Sequence, residues 1–214
     1  RHNIDIVEGT TFYPIDKEII IDEDTGEKNL NFYRKPNFKP LGGEEVYDNS
    51  WFFKHLELLG SNDQEAIDIL HNTIACAVQY PEVNRQWALL LYGGHGIGKD
   101  MFFQVIAKLV GIHNSSFLKL NQLVGRFQGF LMKSNNLFIS EANSTGQDDS
   151  QVISTIKEII TNENFTIELK GVDHIQHKSH FSCYFASNTS NPIRIESDDR
   201  RICYIEIETP KAKV

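Results

Sequence analysis

The chain has 214 residues, of which 40% are hydrophobic and 23% charged, and its formal net charge is −8. These values allow one well-buried globular domain with an appendage. They argue against a protein coated in DNA-binding surface, although local basic elements remain compatible with them. No apolar run approaches the roughly 20 residues that span a bilayer. Three cysteines in apolar surroundings predict reduced core thiols of an intracellular protein rather than disulfides or a zinc site.

Residues 1–50 are predicted to form an N-terminal arm and linker. The segment Ile19–Arg34 alternates weakly around an acidic Asp-Thr-Gly turn, which indicates a hairpin. The following RKPNFKPLGGEE has the Pro and Gly content of a linker. We expect the arm to be ordered by packing on a neighbour. Because the chain begins at Arg1 rather than Met, we also expect it to be part of a larger protein.

Residues 51–86 are predicted to form a helical lead-in. WFFKHLELLG reads as a short helix that ends at Gly60. A second helix follows, with apolar residues at helical spacing and with Ser61 and Asn62 as candidate N-caps. Pro81 ends this helix.

Residues 87–208 show the strand and helix alternation of an α/β nucleotide-binding domain, and residues 209–214 are a tail. We therefore predict a central, mainly parallel sheet. The predicted elements are a buried strand (WALLLY), a helix (MFFQVIAKLVG), a second helix (NQLVGRFQGFLM), a buried strand (NLFIS), an amphipathic helix (DDSQVISTIKEIIT) and three further strands (FTIELKG, HFSCYFAS and RICYIEIE). Phe127 and Phe130, on the second helix, are predicted core residues rather than base-stacking platforms.

A glycine-rich segment, GGHGIGKD, joins the first buried strand to the next helix. Strand, glycine turn, Lys and helix follow in the order of a phosphate-binding loop. Glycines let backbone N–H groups converge on phosphate oxygens, the helix adds its positive end, and Lys99 reaches the β- and γ-phosphates. A tight turn without ligand is the alternative, and the flanking elements favour the phosphate site. The residues predicted to bind nucleotide are Gly93, Gly94, His95, Gly96, Ile97, Gly98, Lys99, Asp100 and Met101.

The position after Lys99 breaks the usual pattern, because it carries Asp100 where a Mg²⁺-binding Ser or Thr is expected. The second buried strand ends in Ser140 and Glu141, where such ATPases usually place two acids. We hypothesise that carboxylate and hydroxyl have exchanged places, so that Asp100, Ser140 and Glu141 form the Mg²⁺ site. Glu141 is also the candidate base for water. The alternatives are that Asp100 only complements the helix dipole or slows the ATPase, and that Glu141 is a surface carboxylate.

The sequence from TIKEIITNENF to DDRRICYIE, together with GGHGIGK and LFISEA, resembles the helicase domain of superfamily 3. It is similar to the helicase domains fused to primases or primase-polymerases in phages and mobile elements. The resemblance covers roughly Trp51 to Glu208. It implies an AAA+ type ring ATPase, usually a hexamer, that translocates on single-stranded DNA.

The resemblance assigns further residues. A β-hairpin with a basic tip would reach DNA in the ring channel, and its predicted DNA-binding residues are Lys170, His174, His177 and Lys178. Asn188 would sense the γ-phosphate, or else cap the following turn. Arg200 or Arg201 would complete a neighbour's active site, with Arg200 preferred, unless both pair with Asp198 and Asp199. His174, His177 and His180 match no standard ligand spacing, so a transition-metal site is not expected.

These features together predict an Mg²⁺-dependent ATPase and DNA helicase. Its cofactors would be ATP and Mg²⁺, and its partners single-stranded DNA, further copies of itself and a primase or polymerase domain. It would act in the cytoplasm of a bacterial host. One competing function is a DNA-binding ring module with weak or no ATPase, which the altered Mg²⁺ site allows. A small phosphate-loop kinase is another, and it would need neither the basic hairpin nor the Arg pair.

Overall fold

The computed structural model describes residues 6–37, 48–125, 128–142, 149–167, 175–189 and 199–208. The strands are β1 (Gly9–Thr11), β2 (Ile19–Ile21), β3 (Lys28–Asn31), β4 (Ala88–Gly93), β5 (Ser115–Lys119), β6 (Asn136–Ser140), β7 (Asn164–Ile167), β8 (Ile175–Lys178), β9 (Ser182–Ser187) and β10 (Ile202–Ile207). The helices are α1 (Ser50–Leu59), α2 (Gln64–Gln79), α3 (Lys99–Val110), α4 (Leu120–Leu123) and α5 (Asp149–Thr161). Short 3₁₀ turns cover Ile112–Asn114 and Gly129–Met132.

A five-stranded sheet in the order β10-β4-β9-β6-β5 forms the centre of the fold. Every neighbouring pair in it is parallel, which confirms the predicted α/β architecture. Parallel sheets are covered on both faces, so their strands are apolar on both sides. All six residues of β9 are buried, as this arrangement requires.

The two faces of the sheet support two separate cores. In β4, Leu89 and Leu91 point to the core that α1, α2 and α3 cover, while Ala88 and Leu90 point to the core that α5 covers. This alternation follows from the two-residue period of a strand.

The cysteines are free, and burial raises the pKa of the Cys183 thiol to about 12, which makes it an unreactive core residue.

The helical lead-in is present, with a different cap from the one expected. Asp63, not Ser61 or Asn62, is the N-cap of α2, and its side chain accepts a hydrogen bond from the Glu65 N–H at 2.9 Å. Ser61 and Asn62 instead have φ values of 53° and 60°. Their left-handed backbone makes the turn between the two helices, a conformation that Asn tolerates better than most residues.

The segment NQLVGRFQGFLM is not one continuous helix. The structure has the short α4 followed, after residues 126–127 outside the description, by the 3₁₀ turn Gly129–Met132. Glycine at positions 125 and 129 weakens a continuous helix, and Leu131 and Met132 are buried without one. Phe130 packs partly buried against a core, as expected.

The strand β5 was not expected, because only Leu118 in it is buried.

The N-terminal arm folds into a small sheet of order β1-β3-β2. The predicted hairpin is the antiparallel β2–β3 pair. Buried Asn31 holds the chain between β1 and β2 by donating to the backbone oxygens of Tyr13 and Lys17, each at 2.9 Å. The arm packs on the core of its own chain: the Asn114 side-chain amide donates to the Arg34 carbonyl at 2.8 Å. The expected packing on a neighbour stays a prediction.

The two ends of the parallel strands border different parts of the structure. The carboxyl ends of β4, β6 and β9 meet at one edge, and the arm and the antiparallel β7–β8 hairpin lie towards the other. In the part of the chain that the structure describes, no helix is long and apolar enough to cross a membrane.

Candidate functional site

A cleft of about 370 Å³ opens at the carboxyl edge of the sheet, where β4, β6 and β9 end. Ligand sites of open α/β sheets lie at this edge, outside the carboxyl ends of the strands. The residues that line it are His95, Gly96, Ile97, Gly98, Lys99, Asp100, Met101, Ser140, Glu141, Ala186 and Asn188. Ala186 is the only one of these that was not predicted from the sequence. Gly93 and Gly94 lie immediately before them at the end of β4.

The glycine loop is held by two close contacts. Gly98 has φ of +94° and is the N-cap of α3, a conformation that glycine adopts without strain. Its carbonyl lies 3.1 Å from Nε2 of His55 on α1. A Cβ at Gly93 would approach the backbone oxygen of Ile207 to 2.9 Å, so β4 and β10 can end side by side only if residue 93 is glycine.

The N-terminus of α3 faces the cleft with free donors. No side chain among the described residues caps it, so the first-turn N–H groups and the positive helix end are available to an anion. Asp100, in that first turn, is exposed. This arrangement suits a phosphate group.

Lys99 links the loop to the neighbouring strand. Its buried ammonium donates to the carbonyl oxygens of Gly93 at 2.7 Å and Gly94 at 2.8 Å, and to Oδ1 of Asn188 at 2.8 Å. Burial lowers the pKa of Lys99, and the charge of Asp100 acts in the opposite direction. The ammonium group is thus held by three oxygen acceptors at the cleft, and phosphate oxygens would be stronger ones.

Asp100 and Ser140 meet across the cleft, as the exchange hypothesis requires. The Ser140 hydroxyl donates to Oδ1 of Asp100 at 3.4 Å. Carboxylate and hydroxyl oxygens are ligands that Mg²⁺ accepts, usually alongside waters and substrate phosphates. The described residues hold no group of three or more His, Cys, Asp or Glu side chains suited to a metal. Within the part of the chain that the structure describes, the oxygen ligands available to Mg²⁺ in this cleft are those of Asp100, Ser140 and Glu141.

Glu141 follows β6 in an unusual backbone conformation. Its φ is 52°, in the left-handed region that a residue with a long side chain seldom adopts. The backbone is fixed there because the next N–H, of Ala142, donates to the carbonyl of Ala186 at 3.0 Å. The Glu141 side chain is exposed and lines the cleft. Strain of this kind concentrates at functional sites, where the rest of the fold compensates for it.

Asn188 turns its side chain towards the cleft at the end of β9. Its oxygen accepts the Lys99 hydrogen bond described above. Next to it, the Ser187 Oγ accepts from the Thr189 N–H at 3.1 Å, and the chain from residue 190 to residue 198 lies outside the described residues. This placement is compatible with a residue that contacts bound phosphate, and the role of Asn188 stays a prediction.

The two arginines lie at the opposite edge of the sheet. The carbonyl of Arg201 accepts from the N–H of Ala88 at 2.8 Å, at the start of β4. The glycine loop follows the other end of β4, and the length of the strand separates the two ends by about 20 Å. Arg201 pairs with Asp199 at 3.2 Å, and Lys157 joins the same carboxylate at 2.8 Å. Arg200 is exposed. Neither arginine is placed to act on the cleft of its own chain.

The predicted basic hairpin is the β7–β8 pair, but one of its candidate DNA contacts faces inward. His177 is 6% exposed and its ring lies 6.1 Å, centroid to centroid, from that of Phe181. Burial lowers the pKa of His177 to about 4, and nearby His180 acts in the same direction. His177 is therefore a neutral core residue here, which corrects its expected contact with DNA. Lys178 is exposed; Lys170 and His174 lie outside the described residues.

The pKa of His177 predicts acid-sensitive stability. The folded value of about 4 lies below the ordinary 6.5, so between these pH values the unfolded chain binds a proton that the folded chain excludes. From pH 7.5 to 5, this residue should lower the free energy of unfolding by about 2 kcal/mol. Urea unfolding at both pH values should show that His177→Phe reduces the pH dependence by this amount. His71→Gln, at an exposed position, should leave it unchanged; an unchanged pH dependence in His177→Phe would contradict the prediction.

Sequence reasoning missed His55 as a neighbour of the glycine loop. It lies 43 residues before Gly98, in a helix whose amphipathic pattern gives no information about which element covers it. The signal that exists is indirect, because a polar His on the half-buried flank of an otherwise apolar helix face requires a hydrogen-bond partner.

A family model described as a family of unknown function, DUF5906, matches residues 91–201, which is more than half of the chain. The chain belongs to this family. The match begins within β4 and runs through the glycine loop, Glu141 and Asn188 to Arg201. The DUF5906 segment thus contains almost the whole cleft, while α1 and the arm precede it.

Known proteins resemble this DUF5906 chain over most of its length. It is 24% identical over 186 residues to the DNA primase-polymerase of Nitratiruptor phage NrS-1, covering 86% of this chain and 26% of that protein. The apo structure of the C-terminal region of NrS-1 has a TM-score of 0.77 at 24% identity and covers 94% of this chain and 47% of the solved one. A second apo form of the same region has a TM-score of 0.75 at 24% identity, and the match covers 97% of this chain and 49% of the solved one. The chain therefore spans about a quarter of the curated relative, and the structures show a shared fold.

Proposed function

We propose that the chain is the Mg²⁺-dependent ATPase module of a DNA helicase of superfamily 3 that moves along single-stranded DNA during phage or mobile-element replication. The observation that carries the proposal is the Lys99 ammonium, which joins the glycine loop to Asn188 inside a cleft that also holds Asp100, Ser140 and Glu141. This set provides a phosphate cradle, a cation site and a candidate base in one place.

The order of the sheet supports the AAA+ part of the proposal. β9, which carries Asn188, lies between β4 and β6. A polar residue at its end can therefore contact both a phosphate held by the loop and a water held at Glu141. A nucleotide site without this intervening strand would have no side chain in that position.

The known relatives support the biological setting. The DNA primase-polymerase of phage NrS-1 matches 86% of this chain, and the solved structures of its C-terminal region share the fold. We infer that this chain is likewise one module of a larger phage replication protein, joined to a primase or polymerase domain. DNA replication inside a bacterial host cell would then be its setting.

Each cleft residue would have a defined role. The backbone N–H groups of the loop and of the first turn of α3 bind phosphate oxygens, and Lys99 offsets their charge. Asp100 and Ser140 would hold Mg²⁺, which when bound neutralises charge on the phosphates. Glu141 orients a water molecule and takes its proton, and Asn188 hydrogen-bonds that water or the terminal phosphate.

Arg200 would act on a second copy of the chain. Because it lies at the edge of the sheet away from its own cleft, it can reach a nucleotide only in a neighbouring subunit. Arg201 is engaged with Asp199 and would shape the segment that presents Arg200. An arginine supplied in this way stabilises charge on the transferring phosphoryl group, and a ring, as a hexamer, would supply one at every interface.

Steady-state ATP hydrolysis, measured with and without single-stranded DNA, tests the proposal. We expect Mg²⁺-dependent hydrolysis that single-stranded DNA stimulates, and a specific activity that rises with protein concentration, in parallel with assembly seen by light scattering. Nucleotide binding and assembly without turnover would instead favour the DNA-binding ring module. Absence of nucleotide binding would contradict the proposal, and hydrolysis that requires a phosphate acceptor would indicate a kinase.

The contact between Asp100 and Ser140 gives a test of the metal site. Asp100→Ser and Ser140→Asp should each lower Mg²⁺-dependent ATP turnover by at least about tenfold, because each leaves two like groups in the site. The double exchange restores one carboxylate and one hydroxyl, and its turnover should approach that of the unmodified chain. Turnover should be measured across a Mg²⁺ titration. If the double variant is no faster than the single variants, Asp100 and Ser140 do not form one site.

A further inference from the structure

Helix α1 contacts the glycine loop although it precedes the residues that the family model matches. Its residue His55 is half-buried and its Nε2 lies 3.1 Å from the carbonyl oxygen of Gly98. A Cβ added at Gly98 would overlap the His55 ring. The flank of α1 that carries His55 is therefore the flank beside the loop.

Trp51 lies on that same flank, one turn before His55. Residues four apart in a helix are stacked on one side, about 5 to 6 Å between their Cβ atoms. The buried face of α1 is formed by Leu56 and Leu59, with Phe52 packed against the same core. Trp51 lies outside this face and is 51% exposed.

The exposed half of the Trp51 side chain leaves an aromatic surface accessible to a ligand. Its ring has one edge-to-face neighbour, Phe52, at 5.7 Å between centroids, which fixes one side of the indole. The other exposed aromatic residue of α1, Phe53, is 45% exposed, but it lies two positions after Trp51 and hence about 200° away around the helix. Of these two exposed aromatic residues, Trp51 is the one on the side of the glycine loop.

We propose that the indole of Trp51 is the stacking platform for the base of the bound nucleotide, with a purine as the preferred base. The inference rests on the proposed nucleotide site: phosphates bound at Gly98 and Lys99 leave the sugar and base to extend beyond the loop, and α1 is the element that borders it. Stacking on an aromatic ring suits every base and is strongest for the larger ring system of a purine. His55 is a positioning residue, because it joins α1 to the loop.

Binding measurements with three ligands separate the base from the phosphates. With the full 214-residue chain, the affinities for ATP, CTP and inorganic tripolyphosphate are measured by calorimetry in Mg²⁺. Trp51→Ala should weaken ATP binding by about tenfold and leave tripolyphosphate binding unchanged, whereas Trp51→Phe should retain most of the ATP affinity. Phe53→Ala is the matched control and should change neither. ATP should also quench the tryptophan fluorescence of the unmodified chain more than that of Trp51→Phe.

The outcomes distinguish this inference from the proposed function. If the unmodified chain binds neither ATP nor tripolyphosphate, the nucleotide site itself is absent and both proposals fail. If it binds both and Trp51→Ala binds ATP with unchanged affinity, the phosphate site stands and the stacking proposal is overturned. It is also overturned if Trp51→Ala weakens ATP and tripolyphosphate equally, since Trp51 would then act through the loop and not on the base.

Discussion

Replacing Lys99 with Ala should lower Mg²⁺-dependent ATP hydrolysis by about 10³-fold. The Lys99 ammonium is buried and makes three hydrogen bonds, to two loop carbonyls and to Asn188. Its removal leaves the terminal phosphates without their nearest cation and leaves Asn188 without the contact that orients it. Turnover with and without single-stranded DNA should fall together, and tripolyphosphate binding, measured by calorimetry, should weaken as well.

Lys108 provides the matched control for this experiment, because it lies on the same helix, α3, and is exposed. Lys108→Ala should hydrolyse ATP at the rate of the unmodified chain. A Lys99→Ala variant that retains most of its DNA-stimulated turnover would contradict the assignment of the glycine loop as the catalytic phosphate site. Circular dichroism of both variants checks that the loop change leaves the fold intact.

The sequence allowed the centre of the fold to be predicted because its strands are apolar throughout. The buried runs that became β4, β6 and β9 alternate with amphipathic helices along the chain, and a glycine loop follows β4, so period and composition agree. β5 was missed because it is an edge strand with one buried residue.

The cleft could be predicted to the same extent as the strands that carry it. Side chains at the carboxyl ends of parallel strands converge, so the positions of Lys99, Ser140 and Asn188 followed once their strands were assigned. The contact of His55 with Gly98 depends on how α1 crosses the sheet, which no local pattern encodes. The inward orientation of His177 was missed for a related reason: the composition of a hairpin gives its charge, whereas its register decides which face each residue occupies.

In the proposed helicase, the residues for hydrolysis and the residues that would contact a neighbouring subunit or DNA lie at opposite edges of the sheet. The cleft holds the groups for hydrolysis, while Arg200 and the base of the β7–β8 hairpin lie at the other edge, joined to the core by α5. Lys157 of α5 binds Asp199, the partner of Arg201. A helix that follows Glu141 in the chain and ends beside the hairpin therefore also contacts the arginine segment. In the proposed helicase, this helix would connect hydrolysis with a neighbouring subunit and with DNA.

Glu141→Gln should separate nucleotide binding from hydrolysis. The substitution keeps the size of the side chain but removes the base, so turnover should fall by about 10² to 10³-fold, in the range of general-base variants, while the affinity for ATP stays the same. Glutamine and glutamate are equally strained in the left-handed backbone at φ of 52°. The variant and the unmodified chain should therefore have equal thermal stability. The measurements are single-turnover hydrolysis, calorimetric ATP binding and a melting curve.

Glu57→Gln, at an exposed position on α1, controls for the loss of one negative charge and should leave turnover unchanged. If Glu141→Gln hydrolyses ATP normally, Glu141 is a surface carboxylate and its strained backbone has another cause. If it binds ATP and loses turnover, the strain has a functional explanation. The hydrogen bond from Ala142 to Ala186 then holds residue 141 in a conformation that an unconstrained strand end would not adopt, and so keeps the carboxylate at the cleft before nucleotide arrives.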